Sequence, residues 1–340
     1  MRAITLREHG NPEVLKQEVL PDLVPGPGEV RVRVAAVAMN HLDVWVRRGL
    51  AHLKLRYPFI LGSDVAGTVD AVGPGASAKP GDEVVLSPGV SCGRCRECLA
   101  GRDNLCREYG ILGETRDGGY AEQIVVPERN LLPAPKNLSV EDRAALPLTF
   151  LTAWQMVVDK ARVEPGEVVL VHGASSGVGV AALQIAKLYG ATVIATASSD
   201  EKLAKAKELG ADHLVDSKGD VLGAVKRITG KRGVDVVIEH VGAATWETSI
   251  LAAARGGRIV TCGATSGYEA KTDLRHVFFR QLQILGSTMG SKSALFKVLD
   301  HVVAGRLRPV VDRVFPLADA QAAHRHLEGR GQFGKVVLRV

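Results

Sequence analysis

The chain reads as an α/β protein in two parts: a β-rich domain interrupted by a doubly wound parallel-sheet domain. Three observations carry that reading. Short valine-rich runs separated by Pro–Gly turns fill residues 1–90. From Val168 onward, apolar runs alternate with segments of helical period. A last apolar run, Lys335-Val336-Val337-Leu338, follows them. Short runs bounded by turn residues are strands, and strands alternating with helices build a parallel sheet covered on its faces. The 340 residues are room for two ordinary domains. With 46% hydrophobic and 24% charged residues the chain is globular rather than disordered. The formal charge of +6 comes from scattered basic residues and not from an arm of the kind that binds nucleic acid.

In order along the chain, Glu29 to Val37 alternates Arg31 and Arg33 with Val30, Val32 and Val34, a half-buried strand. Pro25-Gly26-Pro27-Gly28 and Gly73-Pro74-Gly75 are turns. The β character ends near residue 145. Then come a strand at Val168–His172, a helix at Val178–Tyr189, a strand at Thr192–Ala197 and a helix at Glu201–Leu209. Strands follow at Val234–Glu239 and Arg258–Cys262. From about Ala294 the pattern predicts one helix and then the strand at 335–338, which can return to the first domain. The domains are therefore 1–145 with 294–340, and 146–293. The N-terminus lacks a signal-peptide core, and no apolar run nears the ~20 residues that cross a bilayer. A soluble, cytoplasmic protein is expected.

The strand at Val168 runs into Gly173-Ala174-Ser175-Ser176-Gly177-Val178-Gly179 and then into a helix. Glycines there permit a tight turn and let the backbone approach a pyrophosphate at the helix N-terminus. Strand, turn, helix and second strand in this order make a Rossmann dinucleotide site, with Gly173, Ala174, Ser176, Gly177, Val178 and Gly179 against the cofactor. The second strand ends at Ala197 without the carboxylate that usually accepts the ribose hydroxyls. Ser198, Ser199 and Lys202 follow, two hydroxyls and an ammonium suited to a 2′-phosphate. NADPH is expected in preference to NADH, although the two serines can also cap the next helix.

Cys92-x-x-Cys95-x-x-Cys98 followed by Cys106 is a closed four-thiolate pattern, suited to one structural zinc in a lobe at 90–107. A site with no open coordination position holds a loop and does not activate substrate. Cys262, at the end of an apolar strand, is expected to be a buried thiol.

Together these features resemble the medium-chain dehydrogenase/reductase superfamily, which includes zinc alcohol dehydrogenases and zinc-free quinone oxidoreductases. The resemblance spans essentially the whole chain: Gly62 with Gly67–Val72, the Cys92–Cys106 lobe, the Gly173–Gly179 turn and Gly334-Lys335-Val336-Val337-Leu338. It implies a GroES-like β-rich catalytic domain beside the Rossmann domain. In zinc alcohol dehydrogenases a Cys, a His and a second Cys hold a catalytic zinc. Those positions match Asn40, Ser63 and Leu148, none of which is a strong zinc ligand. Asn40 and Gly62-Ser63-Asp64 look instead like the quinone oxidoreductase pattern, although that subfamily usually lacks the four-cysteine lobe. His41, Asp43 and Asp64 lie in the same segments and are candidates for a replacement metal site.

The resemblance implies the roles. Asn40 would donate a hydrogen bond to a substrate oxygen, Asp43 would hold the polar geometry, and Thr152 would lie against the nicotinamide. Val241, Gly242, Gly263 and Ala264 would border the nicotinamide end, and Trp45, Tyr57 and Ser63 would line the substrate pocket. Without a Lewis acid, an already electrophilic enone or quinone is the better hydride acceptor. The expected reaction is hydride transfer from NADPH to a conjugated carbonyl compound. An alcohol or aldehyde dehydrogenase with an unusual metal site and a non-enzymatic NADPH-binding protein are the alternatives. A homodimer or homotetramer is expected by analogy.

Overall fold

The computed structural model describes residues 1–51 and 53–340. They form two compact units, Met1–Leu148 with Ser291–Val340, and Thr149–Gly290. Each boundary lies three residues from the sequence-based one, at 148 against 145 and at 290 against 293. Among the described residues no helix is long and apolar enough to cross a membrane.

Unit 1 is built on a seven-stranded sheet. Its path runs Leu131–Pro133, Glu83–Leu86, Asp64–Val72, Glu29–Ala38, Lys335–Arg339, Val311–Pro316, with Gln123–Pro127 also pairing to Glu29–Ala38. The alternation seen in sequence is obeyed: Val30, Val32 and Val34 are buried and Arg33 is exposed. Ala38 is paired with Asp64 on one side and Val337 on the other. The Met39 amide extends the second ladder by donating to the Val336 carbonyl at 2.9 Å. This register gathers residues 39–40, 63–64 and 335–336 at one place, although 271 residues separate Asp64 from Lys335.

The region read as all-β also contains a helix, His41–Arg48. Its Val44 and Val46 are strand formers, and packing overrides their preference: Asp43, Val44, Val46 and Arg47 form its buried face. Gly49, at φ 99°, ends it. A helix at Ala320–Glu328 follows Lys292–Val303 before the last strand, where the sequence pattern predicted only one.

Unit 2 is a six-stranded parallel sheet in the order His213–Asp216, Thr192–Ala197, Val168–Val171, Val234–Glu239, Ala253–Thr261, Gln283–Gly286. This is the doubly wound order, with its switch point beside the first strand. The four inner strands are those visible in the sequence as apolar runs. Both edge strands escaped that reading because they are short and half-exposed. Cys262 lies just beyond the fifth strand, partly exposed as a residue but with its thiol turned into the interior.

Candidate active site

In unit 2 the turn after Val168–Val171 is held from two sides. Gly173 N–H donates to Thr196 Oγ1 at 3.2 Å and Ala174 N–H to the Thr196 carbonyl at 2.8 Å, both on the neighbouring strand. Ser176 caps the helix Gly177–Leu188 by accepting from Gly179 N–H at 2.9 Å. A Cβ at Gly179 would lie 2.3 Å from the Gly173 carbonyl oxygen, so only glycine lets this helix start so close to the turn. The opening amides of the helix, including Gly177 and Val178, have no acceptor within it and point outward. The turn thus fits a dinucleotide pyrophosphate. At the end of the second strand, Ser199 caps the next helix, accepting from Lys202 N–H at 3.4 Å. Ser198 is half-buried, Ser199 exposed and Lys202 buried, with Asp200 and Glu201 in the same first turn.

Beyond the fourth strand, Val241 and Gly242 turn over the carboxylate of Glu239, donating to its Oε1 at 2.7 and 3.0 Å. Its Oε2 accepts from Thr245 and Ser249 hydroxyls at 2.8 and 2.7 Å. Burial works against the charge, but the neighbouring His172 together with these donors outweighs it and holds Glu239 below the usual carboxylate range. His172 joins Ser249 Oγ at 3.1 Å, and burial lowers it to about 4, so it is neutral near pH 7. His240, also buried, joins Ser176 Oγ at 3.3 Å and thereby links this network to the glycine-rich turn. Ser266, beyond the loop residues Gly263 and Ala264, binds the Val241 carbonyl through its hydroxyl and its amide, each at 2.7 Å. Burial and the Glu239 charge push the Cys262 thiol up to about 12, which makes it inert. The Thr152 hydroxyl, on the helix Pro147–Trp154, is buried with no hydrogen-bond partner among the described residues.

Unit 1 contributes a second polar cluster. Asp43 Oδ2 accepts the Asn40 amide at 2.7 Å and Oδ1 the Gly62 amide at 2.9 Å. It is wholly buried, which raises it to about 7 despite these bonds. Gly62 has φ 101°, and a Cβ there would fall 2.5 Å from the Tyr120 ring. Asn40 stands at the N-cap of the helix His41–Arg48, yet its side chain does not cap it. Asn40 Nδ2 instead donates to Asp64 Oδ2 at 2.9 Å, and Asn40 Oδ1 accepts from Lys335 Nζ at 2.5 Å. Lys335 also donates to Asp64 Oδ2 at 2.9 Å, and Leu148 N–H donates to Asp64 Oδ1 at 2.7 Å. Ser63 is fully buried and its hydroxyl has no partner among the described residues.

This donor set does not fit the replacement metal site. The carboxylates of Asp43 and Asp64 are already bound by amides and an ammonium. Among the described residues His41 is not part of a metal-ligating group with them. The four cysteines do fit a metal. All four sulfurs lie within 4.8 Å of one another, and neighbouring pairs are 3.5, 3.6 and 3.9 Å apart. Four thiolates about 2.3 Å from a tetrahedral zinc are about 3.8 Å apart, far longer than a disulfide. Amides of Arg94 and Cys95 hold Cys92 down to about 6, toward the ligand form. The lobe is tied to the last part of the chain by Lys292 N–H donating to Asp103 Oδ1 at 2.8 Å.

Asn40, Asp43 and Ser63 therefore share one cluster in unit 1, and Thr152 belongs to unit 2 with the cofactor residues. Trp45 is half-buried on the helix after Asn40, its ring 6.3 Å from that of His41. Tyr57 is 39% exposed and lines a cavity of about 430 Å³ with Lys54, Arg56, Arg116 and Asp117. Leu55, Pro58 and Phe59 complete a wall of mixed polar and apolar character. Lys335 was not among the expected site residues. Its one signal was a lysine opening a strand otherwise made of Val336, Val337 and Leu338.

An alcohol dehydrogenase GroES-like domain model matches residues 26–136, and a zinc-binding dehydrogenase model matches residues 177–304. Quinone oxidoreductase from Homo sapiens is 30% identical over 99% of this chain and 97% of its own. A crystal structure of an NAD-dependent alcohol dehydrogenase shares 60% identity, with a TM-score of 0.97 and 100% of each chain covered. The crotonyl-CoA carboxylase/reductase AntE, solved in complex with NADP, shares 27% identity at a TM-score of 0.93, over 100% of this chain and 94% of that one. With both domains matched and similarity running the length of the chain, this protein belongs to the medium-chain dehydrogenase/reductase superfamily and is an oxidoreductase of its alcohol dehydrogenase and quinone oxidoreductase kind.

Proposed function

We propose that the enzyme reduces conjugated carbonyl compounds, enones or quinones, with NADPH and without a catalytic zinc. The observation that carries this reading is the donor set of unit 1. An amide, a hydroxyl and a leucine stand at the positions matched to the catalytic-zinc ligands, and an ammonium, Lys335, neutralises Asp64 among them. Neutral N–H and O–H donors suit the oxygen of an acceptor that conjugation already makes electrophilic. Bound NADPH supplies the hydride. Gly173–Gly179 binds the pyrophosphate, and the partnerless Thr152 and Ser63 hydroxyls are the groups a bound cofactor and substrate would satisfy. Ser198, Ser199 and Lys202, with no carboxylate at Ala197, support the 2′-phosphate. The structural zinc belongs on Cys92, Cys95, Cys98 and Cys106.

A second reading, NAD-linked alcohol oxidation, is favoured by the 60% identity to an NAD-dependent alcohol dehydrogenase of known structure. Two measurements separate the readings: zinc per chain in protein purified without added metal or chelator, and kcat/KM for an enone with NADPH against an alcohol with NAD. About one zinc per chain and faster enone reduction support the first. About two, with faster alcohol oxidation, replace it with the second. We also propose a homodimer paired through the edge strand Gln283–Gly286, whose Ile284 is 40% exposed. Light scattering that gave a monomer would refute that pairing.

A further inference from the structure

Lys335 is 4% exposed, and its ammonium meets two acceptors, Asn40 Oδ1 at 2.5 Å and Asp64 Oδ2 at 2.9 Å. The Asn40 amide is thereby addressed at both ends: its oxygen by a cation, its nitrogen by a carboxylate at 2.9 Å. An asparagine side chain is nearly symmetric in shape, and ordinarily either orientation is open to it. Here a flip would turn the NH₂ group toward an ammonium and the oxygen toward a carboxylate, and both contacts would be repulsive. Orientation is therefore fixed by charge. The Asn40 nitrogen carries two protons and Asp64 takes one, which leaves the second for a ligand. Donation from an ammonium to the amide oxygen draws electron density from the nitrogen and strengthens that remaining donor.

We infer that Lys335 is the positioning residue of the reaction: through Asn40 it orients and polarises the amide N–H that binds the substrate oxygen. The inference rests on the proposed role of Asn40 as that donor. Lys335 need not touch the substrate. Its charge reaches the reacting oxygen through one amide group, so positive charge is delivered to the acceptor without a metal ion. The same geometry requires Asp64 to do two things, to neutralise the ammonium and to hold the first Asn40 proton.

The test uses full-length enzyme and the substrate that the wild type turns over best, whether enone, quinone or alcohol. Failure of the enone reading then stays separate from failure of this one. Lys335→Met should lower kcat about 100-fold, the scale of losing one oxyanion donor, with KM and NADPH affinity within about threefold. In an Asn40→Ala background the same change should add little, because Lys335 acts through Asn40. Should Lys335→Met fail to fold, Lys335→Gln keeps a donor and removes the charge, and about a tenfold loss of kcat is expected. Lys335→Met or Lys335→Gln with wild-type kcat would overturn the inference. So would full additivity with Asn40→Ala, or a loss confined to NADPH binding.

Discussion

Asp43 accepts a buried N–H on each of its oxygens, from Asn40 and from Gly62. An asparagine offers one oxygen only, so Asp43→Asn leaves one of these amides facing an NH₂ group. The expected cost is about 1–3 kcal/mol at neutral pH, measured by urea unfolding. The pH dependence has a definite sign. Burial raises Asp43 from an ordinary value of 3.8 to about 7, so between those values the folded state holds a proton that the unfolded state lacks. Its contribution is present in full below about pH 4 and is lost as pH rises through 7. The slope is about 1.4 kcal/mol per pH unit. Unfolding of Asp43→Asn across that range should lack this component, and an unchanged profile would contradict it. Asn40→Ala should lower kcat about 100-fold while leaving the cofactor dissociation constant unchanged, by stopped-flow turnover and fluorescence titration. Asn40 and Asp43 were legible in the sequence because the family pattern surrounds them. Lys335 was not, because its burial depends on a strand pairing across the chain that no local window contains.

Elements position these residues through close backbone contacts. Gly179→Ala puts a methyl 2.3 Å from the Gly173 carbonyl, backbone against backbone, so the helix Gly177–Leu188 must move off the turn. Cofactor affinity should fall at least about tenfold and stability by about 1–3 kcal/mol, read by titration and thermal unfolding. The cysteine lobe is an element of a different kind. Its helix, Arg96–Leu99, spans four residues and buries none of them, so packing alone gives it little. Chelation should release its metal, and limited proteolysis should then cut first within residues 92–106; first cleavage elsewhere would contradict a structural metal there. The inner strands of unit 2 were visible as continuous apolar runs because both their faces are covered. The edge strands at His213 and Gln283 were not, since half-exposed residues blur the period. The helix His41–Arg48 was hidden for a related reason: tertiary packing, not propensity, makes Val44 and Val46 helical.

For the whole molecule the buried histidines decide the response to acid. Burial lowers His172 to about 4, and burial with the Arg47 charge lowers His324 to about 3. His240 is lowered in the same direction by burial. His172 and His324 stay neutral when folded down to those values but take a proton near the ordinary value of 6.5 when unfolded. Their contribution is therefore complete above pH 6.5 and lost as pH falls toward 4 and 3. Asp43 opposes them with one proton over the same window. The balance of His172 and His324 against Asp43 is small near pH 6.5 and approaches one proton near pH 5, so these three groups should make stability fall by up to about 1.4 kcal/mol per unit of acidification toward pH 4.5. Denaturation midpoints that stayed level across this window would refute that balance. His172 lies in unit 2 and His324 in unit 1, so neither half escapes. The position of Lys335 in the chain has a further consequence, for the order of events during synthesis. Asn40 and Asp64 leave the ribosome long before the ammonium that neutralises them, and all of residues 149–290 are translated in between. The contiguous second unit can fold as it emerges, while the first must wait with an uncompensated carboxylate. Domain folding, which usually proceeds from the N-terminus, should therefore be reversed here, with the second unit becoming protease-resistant in stalled nascent chains before the first.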